Sequence, residues 1–147
     1  MDGPHDLERF VTAQTGVYGQ VLQELRAGRK RSHWMWFVLP QLRGLGRSEM
    51  AWRYGIEGLD EARAYLAHPV LGPRLRESLR LVLAAPGAAA DILGAVDALK
   101  LRSCATLFDV AAGGDPDARA VLDRWWDGQP DQATLSLLDR TEASRGR

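Results

Sequence analysis

The sequence is poor in the residues that usually announce chemistry. Its 147 residues include one cysteine and three histidines. HExxH, CxxC and paired-histidine spacings are all missing, so neither a metal nor another cofactor is expected. The single thiol, Cys104, excludes an internal disulfide framework and fits a reducing compartment. No apolar run approaches the roughly 18 residues of a membrane span. The opening MDGPHDLERF lacks the basic-then-apolar order of a secretory signal, so a soluble cytoplasmic protein is expected. An excess of one charge is absent too. Nineteen basic and nineteen acidic residues cancel. That balance, with no zinc-finger, helix-turn-helix or aromatic RNP pattern, argues against a nucleic-acid binder. Nucleophile elbows and phosphate loops are missing as well. Gly44-Leu45-Gly46 is too short for the latter and is not followed by Gly-Lys-Ser/Thr. Repeats, low-complexity tracts and an interdomain linker are all lacking, so residues 1–147 read as one domain, with a core over about 6–138 and a polar, flexible C-terminal tail.

What is present is helical periodicity. Leu7, Phe10, Val11, Val17, Tyr18, Val21, Leu22 and Leu25 recur at a 3.6-residue period, predicting one helix of about five turns capped by Asp6 and stopped at Gly28. Ser48 and Asp60 each suit a helix start, and EARAYLAH ends before Pro69, where His68 can cap carbonyls. Pro73 falls in the first turn of a helix carrying Leu75, Leu79, Val82 and Leu83. A short helix through Ile92 and Leu93 should end at Gly94. The stretch Asp97–Val110 reads as a core helix, Asp115-Pro116 as a strong helix start, and Asp131 as the start of the last helix. The expected fold is an all-α, compact, irregular multihelical orthogonal bundle, with room for a very short strand near Trp36–Leu39.

The densest unusual chemistry lies in RKRSHWMWFVLPQLRGL, Arg29–Leu45. Arg29 and Arg31 suit an oxyanion, because a guanidinium offers forked donors. His33 can move a proton near neutrality. Trp34 and Trp36, and with them Trp52, offer flat faces for stacking. Asp97 and Lys100, three apart at a helix start, would add an acid and a cation, and Gln14 in the first helix would face the same centre. On this reading His33, Asp97 and Lys100 are the catalytic candidates. Arg29 or Arg31, His33, Asp97 and Lys100 should then converge on one accessible cleft with an aromatic wall. Each also has a structural reading: basic residues in a solvated turn, tryptophans as core, Cys104 as an inert buried thiol.

Three blocks, GRKRSHWMWFVLPQLRGLG, YGIEGLDEARAYLAHPVLGPRLRE and ILGAVDALKLRSCATLF, resemble the domain-of-unknown-function family 1810 over about Asp6–Leu138. The resemblance implies a small multihelical orthogonal fold and no established activity. By its motifs it adds Gln41 to the ligand-binding candidates and draws attention to Lys30, Pro40 and His68. The name calpastatin attached to some members does not suit a chain with continuous helical periodicity. A fainter likeness to YbiA-type domains, which act on N-ribosides or ADP-ribose, rests on a first-helix aromatic-Ala-Gln pattern and a Gly-x-x-Asp before a helix.

Three functions follow as expectations. The first is binding of a small anionic or nucleotide-like ligand, extending to hydrolysis of an N-glycosidic or ADP-ribose-type substrate. The second is an interaction module, self-associating as a homodimer through aromatic surface near Trp125-Trp126. Nucleic-acid binding is the third and the least favoured.

Overall fold

The computed structural model describes residues 5–145. In chain order its helices are α1 (Glu8–Gln14), α2 (Tyr18–Arg26), α3 (Met35–Val38), α4 (Glu49–Arg53), α5 (Leu59–Ala67), α6 (Leu71–Ala84), α7 (Ala89–Leu93), α8 (Ala95–Ala112), α9 (Pro116–Trp126) and α10 (Gln132–Arg145). The architecture is all-α. Among the described residues no helix is long and apolar enough to cross a membrane.

Local signals explain most boundaries. Ser48 Oγ accepts from Ala51 N at 3.0 Å and starts α4. Asp115 caps α9 by accepting from Ala118 N at 3.0 Å, with Pro116 at the first helical position. Asp131 does the same for α10 through Thr134 N and Thr134 Oγ1. Gly28 takes a left-handed φ of 73° just past α2. Its N–H reaches the Leu25 carbonyl, and Arg29 N reaches that of Glu24, both at 3.0 Å. This 5→2 and 6→1 pair is a Schellman closure.

Several expectations need correction. The predicted first helix is two helices, because Gly16 sits at φ 82° between α1 and α2 and the backbone turns there. The apolar period had run straight across that break. Asp6 does not cap α1, whose N-cap is Leu7 without a side-chain bond, and Asp60 lies inside the first turn of α5. No strand forms at Trp36–Leu39. That segment is the single turn α3, and the β-like pairing nearby is an isolated parallel bridge between Leu42 and Ile56. His68 caps amides rather than carbonyls: its Nδ1 accepts from Val70 N at 3.1 Å and Leu71 N at 3.2 Å, supplying acceptors at the start of α6. The last helix also continues to Arg145, beyond where the sequence suggests fraying.

The core is organised around α8, which packs against α5, α7, α9 and α10. Its middle is buried on most sides, through Leu101, Cys104, Ala105, Leu107 and Phe108. The polar residues there are satisfied locally. Ser103 and Thr106 donate to the Leu99 and Arg102 carbonyls one turn back, and Thr106 Oγ1 also accepts from Asp131 N, so Thr106 anchors the start of α10. A chain of rings, Phe37–Tyr54–Phe10–Tyr65–Phe108, links α3, α1, α5 and α8 with centroid separations of 5.1–6.0 Å. Cys104 is fully buried, and burial pushes its thiol far up from the usual range, as it does the Tyr65 hydroxyl. Such a thiol is not poised as a nucleophile.

Asp115 also pairs with Arg76 at 3.3 Å, tying α9 to α6. Replacing Asp115 by Ala should lower the unfolding free energy by about 2 kcal/mol, since the cap and the pair go together. Asp115→Asn, which keeps the cap acceptor, should lose roughly half of that. Urea denaturation of the two variants checks the difference.

Candidate functional site

The link from α2 to α3 is held by one carboxylate. Glu24 lies in the last turn of α2 and is 3% exposed. Its Oε1 accepts from Arg31 N (2.7 Å), Ser32 N (3.0 Å) and Trp34 Nε1 (2.9 Å). Its Oε2 accepts from Ser32 Oγ (2.5 Å) and Gln20 Nε2 (2.9 Å). Burial alone would push this carboxyl up. The donors outweigh it, Ser32 Oγ and Arg31 N foremost, and hold Glu24 far below the usual carboxylate range. Arg29 N bonds the Glu24 carbonyl and Lys30 N the Ile92 carbonyl at 2.7 Å. Every backbone N–H from 29 to 32 is therefore bonded, and the cationic link is rigid by construction.

Successive side chains of the link face different ways. Lys30 turns inward, its side chain only 8% exposed, and its Nζ meets Asp97 Oδ2 at 2.9 Å. The same ammonium lies 5.1 Å from the Trp34 ring centroid. Asp97 Oδ1 meets Lys100 Nζ at 3.5 Å, and Lys100 rests over Trp36 at 4.9 Å. One carboxylate is thus shared by two ammonium groups, each on an indole face. Lys100 continues into a recess with Trp36, Gln41, Met35, Leu39, Ala51, Tyr54 and Gly55. The space inside is about 10 Å³, enough for one water and no more.

Arg29 and Arg31 turn the other way. Both are exposed and line a groove of about 220 Å³ with Gln20, Gln23, Glu24 and Ala27. His33 is exposed and lines neither the recess nor this groove. The expected convergence therefore divides. Asp97, Lys100, Trp36 and Gln41 come together, with Lys30 behind them, while Arg29 and Arg31 form a separate pair.

Two ligand-binding candidates belong to the interior. Gln14 is 1% exposed. Its Nε2 donates to the Phe37 carbonyl at 2.7 Å and to Tyr65 Oη at 3.3 Å, and its Oε1 accepts from Arg74 Nη1 at 3.2 Å. That carboxamide holds α1 against α3, α5 and α6. Trp34 is 2% exposed and donates to Glu24, so it braces the link and offers no open face.

Glu24 carried no sequence motif. Its one signal is position, because a carboxylate in the last turn of a helix opposes the macrodipole unless donors meet it there. Another cluster is also visible only in the fold: His5, Glu57 and Glu61 bring possible ligand atoms within 4.8 Å of one another. Guanidinium groups already occupy the place of a cation. Arg9 grips both Glu61 oxygens at 3.0 and 3.1 Å, while Arg43 and Arg145 lie 3.4 and 3.8 Å from Glu57. The Trp125-Trp126 pair is half-buried as well. Trp125 Nε1 bonds the Gly87 carbonyl, and Arg124 and Arg102 cover the two rings.

Comparison with known proteins gives two matches. The family described as "Protein of unknown function (DUF1810)" matches residues 4–138. The crystal structure of the conserved hypothetical protein Rv1873 from Mycobacterium tuberculosis is 53% identical and superposes with a TM-score of 0.90, over 92% of this chain and 98% of that one. No curated protein matches.

Glu24→Gln should destabilise the fold by about 3 kcal/mol, because an amide offers one acceptor oxygen where five donors wait. The folded carboxyl titrates below its unfolded value of 4.5, so its contribution is complete above that pH and is lost as the pH falls from there. Thermal unfolding of wild type and Glu24→Gln between pH 7 and pH 3 should show the gap between them closing on the acid side.

Proposed function

The chain belongs to the DUF1810 family of unknown function, and on that footing we propose that it binds a small anionic ligand on the ledge formed by Trp36, Gln41 and Lys100. One observation carries this reading, the uneven charge of the Lys30–Asp97–Lys100 cluster. Two ammonium groups share one carboxylate, leaving a net charge of one positive unit (two minus one) among side chains that are 8%, 18% and 23% exposed. Removing three ionised groups this far from water is costly, and packing alone would be served by apolar residues. Lys30 takes the short contact with Asp97, at 2.9 Å against 3.5 Å for Lys100. Lys100 is therefore the cation with donors to spare, and the Trp36 face fixes its position.

Gln41 supplies neutral donors beside it. The recess behind is the size of one water, so a ligand rests on the ledge with an oxyanion toward Lys100. This favours binding over N-glycosidic hydrolysis. Both Asp97 oxygens already face ammonium groups, and His33 is not part of the recess lining.

Thermal-shift titrations with orthophosphate, acetate, AMP and ADP-ribose test the reading. A ligand at about 100 times its Kd should stabilise wild type by roughly 2.7 kcal/mol. Lys100→Met should abolish that shift while changing the unliganded stability by about 1 kcal/mol or less. An unchanged ligand shift in Lys100→Met would remove the ledge from consideration.

A further inference from the structure

The geometry points to a second oxyanion site, formed by Arg29 and Arg31 on the side of the link away from Lys30, which takes the phosphoryl group of a small phosphate monoester. It is independent of the ledge and stands on different residues. Arg29 and Arg31 are both exposed and line the same groove, so their guanidiniums serve one side of the link. Among the described residues neither takes part in a salt bridge or donates a side-chain hydrogen bond, whereas several other cations do. Lys30 and Lys100 meet Asp97, Arg43 meets Glu57, and Arg9 meets Glu61.

The backbone beneath them is held before any ligand arrives. Arg29 N bonds the Glu24 carbonyl, and Arg31 N and Ser32 N bond the Glu24 carboxylate. The intervening Lys30 is anchored to Asp97. Two forks on a fixed base suit a tetrahedral group, because each can meet a different pair of oxygens. The Glu24 carboxylate also lines the groove, but it is 3% exposed and both its oxygens already accept hydrogen bonds from the link and Gln20. Gln20 is fastened to Glu24 through its Nε2, which leaves its amide oxygen as an acceptor for a hydroxyl of the ligand. A groove of about 220 Å³ has room for a phosphoryl group and a short carbon body, below the usual range for larger ligands.

Calorimetric titration of the full chain with glycerol 3-phosphate, inorganic phosphate and acetate tests this. Each is run on wild type, Lys100→Met, Arg29→Ala/Arg31→Ala and Arg29→Lys/Arg31→Lys. Phosphate-monoester binding should survive Lys100→Met and weaken about ten-fold or more in the double alanine variant, with thermal unfolding unchanged. The double lysine variant should recover only part of the affinity, and acetate should bind more weakly than either phosphate. The proposal is overturned by binding that persists in the double alanine variant, by binding lost in Lys100→Met, or by full recovery with lysine, which would mean diffuse charge. Those last two outcomes also separate it from the ledge. Loss in Lys100→Met supports the ledge and ends the arginine site, whereas survival there with loss in the alanine pair does the reverse.

Discussion

The Glu24 carboxylate is the constraint on which the link from α2 to α3, and its contacts with α8, depend. Five donors converge on it, four of them from Arg31, Ser32 and Trp34 in the following link. Without that acceptor the link would carry unbonded amides, and Trp34 would have a buried indole N–H with no partner. With it, the backbone of the link is held and the contacts of Trp34 and Lys30 follow. Trp34 is drawn inward and becomes the surface on which Lys30 rests. Lys30 then reaches Asp97 on α8, and Asp97 in turn holds Lys100 over Trp36. The arrangement is a relay of contacts from one helix end to the start of another.

That dependence also explains the uneven legibility of the sequence. Signals that act within one turn were readable, among them the Ser48, Asp115 and Asp131 starts, the Gly28 stop and the buried face of α8. The i,i+3 pair Asp97 and Lys100 was readable for the same reason. The break at Gly16 is not legible because the apolar residues keep their period on both sides of it, and periodicity says nothing about one left-handed residue between two helices. Trp36–Leu39 left helix and strand open because four apolar residues fit either period. Trp34 and Gln14 read as ligand-binding candidates because an indole and a carboxamide look the same in sequence whether they bind a ligand or satisfy a core. Only their partners, Glu24 for one and Phe37, Tyr65 and Arg74 for the other, decide it. Lys30 belonged to a basic run, and its partner lies far along the chain.

The electrostatics follow the same division. Net charge is zero for the whole chain, yet the first 53 residues carry 8 basic against 5 acidic residues and the remainder 11 against 14, a difference of +3 and −3. Folding neutralises part of this by pairing early cations with later carboxylates: Arg9 with Glu61, Lys30 with Asp97, Arg43 with Glu57. What stays in excess around the link includes one positive unit in the Lys30–Asp97–Lys100 cluster on one side and Arg29 with Arg31 on the other.

The alternation of Arg29, Lys30 and Arg31 has a consequence for how such a chain can diverge. Facing is set by parity, so composition matters less here than spacing from Gly28 to Trp34. Exchanging one cation for another leaves the geometry intact. A single-residue insertion or deletion would turn an arginine toward Asp97 and expose the lysine, and it would pull the amides of residues 31 and 32 off the Glu24 oxygens in the same stroke. Most surface links absorb length changes easily. This one behaves as part of the core, and relatives that share its architecture are expected to keep its length even where its letters drift.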